Sequence, residues 1–94
     1  MSNRRVLGAL AHLGLSEIDA KVYVHLATEG PQEAGRIGDA LKLQEDVLHN
    51  ALQNLKNKGI VTFMPPQSHL FFALPFQQVL DILMKAHLKE TREI

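Results

Sequence analysis

Ninety-four residues carry ten Lys plus Arg against ten Asp plus Glu, so the chain as a whole sets up no net field that would draw it to a polyanion, and any basic patch must be local. Cysteine is absent, which excludes disulfides, thiolate metal sites and thiol nucleophiles. A chain this short makes one domain with a single core, marginal in burial unless a partner covers more of its surface.

Arg4-Arg5 ahead of Val6-Leu7-Gly8-Ala9-Leu10 imitates the start of a secretory signal, but His12 interrupts it and no small-residue cleavage site follows before Glu17 and Asp19. No run approaches the roughly 20 apolar residues of a membrane span, so the expectation is a cytoplasmic protein with no membrane partner. Val6, Leu7, Leu10 and Leu13 fall at helical spacing and predict a first helix over 3–13, closed by Gly14. Ser16 caps a second helix, with Asp19 three residues on placed to reach back to it. Ile18, Val22 and Leu26 form that helix's expected buried stripe, flanked by Tyr23 and Ala27, and Gly30-Pro31 ends it.

Ala34, Ile37, Ala40 and Leu41 mark a short third helix. Its small residues Ala34, Gly35 and Gly38 allow close helix approach, although Gly38 costs about 1 kcal/mol relative to alanine. Lys42-Leu43-Gln44 is the turn. The next helix, over 44–58, buries Leu48, Ala51, Leu52 and Leu55 and leaves Glu45, Asp46, His49, Asn50, Gln53, Asn54 and Asn57 largely outside. Residues 60–64 and 70–74 are rich in β-branched, aromatic and leucine side chains around Pro65-Pro66-Gln67-Ser68, the pattern of a hairpin. Pro75 suits the first position of a last helix over 75–90.

Helix, short helix, turn, helix and hairpin in that order make a winged helix-turn-helix. The fold class is therefore mostly α (α+β): one domain over 1–94, with the motif at 33–58, a two-stranded wing at 60–74 and an additional C-terminal helix. The markers are Leu15-Ser16-Glu17, Gly30-Pro31, Lys58-Gly59-Ile60-Val61, Pro65-Pro66 and Leu74-Pro75. On these, the ungapped stretch from Leu13 to Leu80 resembles the TrmB family of transcriptional regulators. The resemblance implies a regulator that binds double-stranded DNA. It also implies that a lysine stands near where relatives commonly place a glycine, at Lys42. Longer members carry a sugar-sensing domain after this point, and the residues here end at Ile94, so no small-molecule effector site is expected within them.

In such domains the motif's second helix enters the major groove and its N-terminal half reads base edges. The candidate base readers are Gln44, His49, Asn50 and Gln53, with Asn54 beside them, because amides donate and accept at once. Arg36, Lys42, Lys56 and Lys58 are the candidate phosphate contacts, the three lysines flanking the reader helix at its two ends. Opposing them, Glu45 and Asp46 place carboxylates in that helix's first turn, and Val47, Leu70 and Phe72 stand where relatives often carry basic residues. Between Lys58 and Lys85 there is no Lys or Arg at all. An alternative reading is a winged helix turned protein-interaction module, with Val47, Leu70 and Phe72 as its apolar contact surface.

Phe76, Leu80, Leu83 and His87 repeat at coiled-coil-like spacing on the last helix, which predicts a homodimer with Phe76, Leu80 and Leu83 at its interface. The competing possibility is that this helix folds back on Val6, Leu7 and Leu10. The five histidines show no zinc-type spacing on one helix, and there is no Gly-rich phosphate loop, nucleophile elbow or paired-carboxylate cleft. Neither metal, cofactor nor enzymatic activity is expected.

Overall fold

In the computed structural model, which describes residues 2–63 and 70–92 and the side chains of 4–62 and 70–86, the chain runs α1 (Ser2–His12), α2 (Glu17–Glu29), β1 (Gln32–Glu33), α3 (Ala34–Leu41), α4 (Glu45–Asn57), β2 (Val61–Phe63), β3 (Leu70–Ala73) and α5 (Phe76–Arg92). The expected turn at Pro65-Pro66-Gln67-Ser68, His69 and the side chain of His87 lie outside the described residues.

Three of the helices end in the same way. Leu15 N–H bonds back to Leu10 C=O, Leu43 N–H to Gly38 C=O and Ile60 N–H to Leu55 C=O, each at 3.0 Å, across a left-handed residue: Gly14, Lys42 and Gly59 respectively. This six-to-one closure satisfies a carbonyl that the helix end would otherwise orphan, and it folds the following apolar residue back onto the helix. Leu15 and Leu10 are both buried, as are Ile60 and Leu55.

The α2 N-terminus follows its sequence signal. Ser16 Oγ accepts from Asp19 N–H at 3.1 Å, and the Asp19 carboxyl is itself hydrogen-bonded to the Ser16 side chain. The buried face differs from the expected stripe. It consists of Asp19, Ala20, Val22, Tyr23 and Leu26, while Ile18 is 37% exposed and Ala27 is exposed. Placing the capping aspartate inward turns Ile18 to the edge, because residues at 19, 22, 23 and 26 share one side of a helix and 18 does not.

The sheet has three antiparallel strands in the order β1-β3-β2, one more than the expected hairpin. Gln32 pairs with Phe71 and Glu33 with Leu70, while Val61, Thr62 and Phe63 pair with Ala73, Phe72 and Phe71. Two residues are too few to show an alternating pattern, so β1 leaves no signal in the sequence. Paired residues share a face, so Gln32, Phe71, Ala73 and Val61 lie on the core side, and Glu33, Leu70, Thr62 and Phe72 on the other. His25 Nε2 donates to the Gln32 side-chain carbonyl at 2.6 Å and ties β1 to α2.

One cluster, from Leu10 through Val22, Tyr23, Leu26, Ile37, Leu48, Leu52, Leu55 and Ile60 to Val79 and Leu83, forms the core. Tyr23 O–H donates to Leu74 C=O at 2.7 Å, which fastens α2 to the junction between wing and last helix. Pro75 sits one place earlier than expected: its carbonyl accepts from Val79 N–H at 3.1 Å, so it caps α5 rather than opening its first turn.

Candidate nucleic-acid interface

The helix-turn-helix is set by a close approach and a strained residue. A Cβ at Gly38 would stand 3.3 Å from Leu48 Cδ2, tighter than ordinary packing, so glycine lets α3 lie against α4. Lys42 then turns the chain at φ 56° and ψ 46°, a left-handed conformation that a lysine adopts only at a cost. Gln44 precedes α4 with an extended backbone and no capping bond from its amide. Asp46 Oδ1 instead accepts from Val47 N–H at 2.9 Å. Glu45 and Asp46 thus complement the positive end of the helix dipole, worth roughly 0.3–1 kcal/mol apiece.

Around α4 the side chains sort by spacing. Leu48, Ala51, Leu52 and Leu55 are inward, Leu48 at 5% exposure, Leu52 at 4% and Leu55 at 0%, while Gln53 and Asn54 are exposed, as the periodicity predicts. Asp46, Asn50, Gln53 and Asn57 are four, three and four residues apart and all exposed, so they run down the middle of the outward face. Asp46 and Asn57, expected on the outside of the helix but not among the candidate base readers, flank Asn50 and Gln53 on this face. Gln44 is exposed at the N-terminal tip. His49 is exposed too but stands to one side, lining a groove between α3 and α4 with Asp39 and Glu45. The structure therefore brings Asn50 and Gln53 together on one face and places His49 apart from them.

The candidate phosphate contacts Arg36, Lys42, Lys56 and Lys58 are all exposed, Arg36 on α3, Lys42 in the turn, Lys56 in the last turn of α4 and Lys58 at its C-cap. Lys58 has a further relation that sequence did not reveal. Asp19 is 5% exposed; burial pushes its carboxyl above the usual 3.8, and hydrogen bonds to Ser16 and Asn54 together with the Lys58 charge oppose that rise. Asn54 and Lys58 of the C-terminal end of α4 thus stand near the buried Asp19 of α2.

Beyond α4, the outer face of the sheet carries half-buried Leu70 and Phe72 beside exposed Glu33 and half-buried Thr62, with no Lys or Arg among these residues. Val47 is half-buried near the start of α4. Of the residues placed at a dimer interface by sequence, Leu83 is 3% exposed within the single chain and belongs to its core beside Val79 at 0%. It is unavailable to a second copy because the α5 seam turns inward there. Phe76 and Leu80 are half-buried, and Met84, next along, is 52% exposed. Among the described residues no helix is long and apolar enough to cross a membrane, and no group of three or more His, Asp or Glu is gathered to hold a metal.

The sequence model of the family described as sugar-specific transcriptional regulator TrmB matches residues 10–77. The fold is similar to that of TrmBL2, an archaeal chromatin protein, with a TM-score of 0.84 at 20% identity over 99% of this chain and 36% of that one. It is also similar to ORF112-Zalpha of Cyprinid Herpesvirus3, with a TM-score of 0.57 at 23% identity over 64% of this chain and 98% of that one. At these identities the likeness is one of fold, and the chain spans about a third of the length of TrmBL2. No curated protein matches the sequence.

Proposed function

The chain belongs to the TrmB family of sugar-specific transcriptional regulators, and we propose that it supplies such a regulator's contact with double-stranded DNA, α4 lying in the major groove. The observation that carries this reading is the outward face of α4, where exposed Asn50 and Gln53 stand side by side between Lys42 at one end of the helix and Lys56 at the other. Asparagine and glutamine suit adenine, whose N7 accepts and whose N6 donates, and lysines at both ends suit the phosphates bordering a groove. The two fold neighbours are consistent with it: TrmBL2 is described with a novel mode of DNA binding, and ORF112-Zalpha binds Z-DNA.

Within this reading Gln44, Asn50, Gln53 and, from the flank, His49 read bases; Arg36, Lys42, Lys56 and Lys58 hold phosphates. The protein acts as a homodimer, joined along α5 through Phe76, Leu80 and the exposed Met84, and it performs no catalysis. Selection of binding sites from random duplexes tests the assignment. The wild type enriches a motif, and Asn50→Ala relaxes the preference at one position by about 1–3 kcal/mol. Enrichment of no motif, or a motif unchanged in Asn50→Ala, contradicts it. The interaction-module reading has one observation in its favour, the uncharged outer face of the sheet at Leu70 and Phe72.

A further inference from the structure

Apart from His49, the lining of the groove between α3 and α4 has no part in base reading. It encloses about 770 Å³ and is lined by Ala34, Gly35, Leu43, Leu48, Leu52 and Phe71 along its apolar part. Its charged lining residues are Asp39, Glu45 and Asp46, all exposed, and no Lys or Arg lines it. A volume of this size falls within the 300–1,000 Å³ or so of ordinary ligand clefts, and its open shape fits a chain segment better than an enclosed small molecule. An apolar floor inside a carboxylate rim repels phosphate and attracts cations.

We propose that this groove docks a short basic segment of a partner protein, one that seats an apolar side chain against Leu43, Leu52 and Phe71 and sets Lys or Arg beside Asp39, Glu45 and Asp46. Charge complementarity selects that occupant. Two basic stretches of a second copy of this chain fit it poorly. Val6 and Leu7, next to Arg4 and Arg5, pack against their own core, and Lys85, next to Met84, is paired with Asp81 at 3.2 Å. The groove is filled on one side by nothing larger than Gly35, where a Cβ would meet no atom within 4 Å and the backbone is ordinary helix. A larger side chain there occupies the groove without straining the fold. Asn50 and Gln53 lie outside the groove, whereas His49, Glu45 and Asp46 border both it and the face of α4 assigned to DNA.

The test uses a short fluorescein-labelled peptide of lysine and leucine, with leucines at helical spacing, and a counterpart with glutamate for lysine. Anisotropy and backbone amide shifts are followed on the whole chain. The lysine peptide binds, shifting the amides of Gly35, His49, Leu52 and Phe71, and the glutamate peptide does not. Gly35→Leu abolishes binding while far-ultraviolet dichroism is unchanged. Asp39→Asn with Glu45→Gln and Asp46→Asn weakens it about tenfold, as three modest exposed ion pairs would. Unaltered binding in both variants overturns the proposal. So does a shift pattern centred away from the groove, or self-association that occupies it with another copy.

Discussion

Lys42 holds a backbone conformation that Gly14 and Gly59 hold freely at the equivalent place in two other helix endings. Lys42→Gly removes that strain and is expected to raise stability by about 1 kcal/mol, read as a higher urea midpoint with unchanged slope. The same change removes a candidate phosphate contact, so DNA binding falls while stability rises, a divergence that a purely structural role would not produce. Asp19 makes a second prediction at this scale. Its carboxyl is raised by burial, so the folded state binds the proton more tightly than the unfolded chain. The resulting stabilisation is present below the ordinary value of 3.8 and is lost as pH rises through the higher folded value. Relative to Asp19→Asn, the wild type therefore loses stability as pH rises through the interval just above 3.8, in paired melts across that range. Parallel profiles for the two proteins contradict it. The cap at Ser16 was legible from spacing alone, but the burial of Asp19 was not, because its partners Asn54 and Lys58 are distant in sequence.

Helices long enough to show a period announced themselves. In α4 the leucines at 48, 52 and 55 fix both the helix and its inward face, and Leu52→Ala is expected to cost about 2–5 kcal/mol in chemical denaturation. A loss under 1 kcal/mol would mean that Leu52 is not held as its 4% exposure indicates. In α2 the same reasoning identified the helix but rotated its face, since a hydrophobic scale ranks Ile18 above Asp19 and ignores a polar residue buried with its partners. β1 was illegible for want of length. His49 looked like a base reader by position, yet spacing along α4 already sets it to one side of Asn50 and Gln53, where the packing of α3 and β3 forms a groove that no local pattern describes.

At the scale of the whole molecule, the winged helix-turn-helix was readable because its parts occur in order, whereas its assembly depends on which apolar side chains remain uncovered. Leu83 spends its burial inside one chain, so Leu83→Glu is expected to unfold the protein rather than separate two copies. Met84→Glu, at a position 52% exposed, is expected to leave the fold intact and to convert the proposed homodimer to monomer in light scattering. A wild type that is monomeric at high micromolar concentration contradicts the assembly along α5.

The chain has no net charge, so the proposed attraction to DNA is local, assigned to Arg36, Lys42, Lys56 and Lys58 with Glu45 and Asp46 set against it. Titration of random-sequence duplex across a series of salt concentrations tests this most directly. The account predicts binding at low salt, a logarithmic salt slope lowered by about one unit in Lys56→Ala, and tighter binding when Glu45→Gln and Asp46→Asn remove two carboxylates from the phosphate side. Absence of binding at tens of micromolar protein or so at low salt, with no gain in the Glu45→Gln, Asp46→Asn variant, would contradict it.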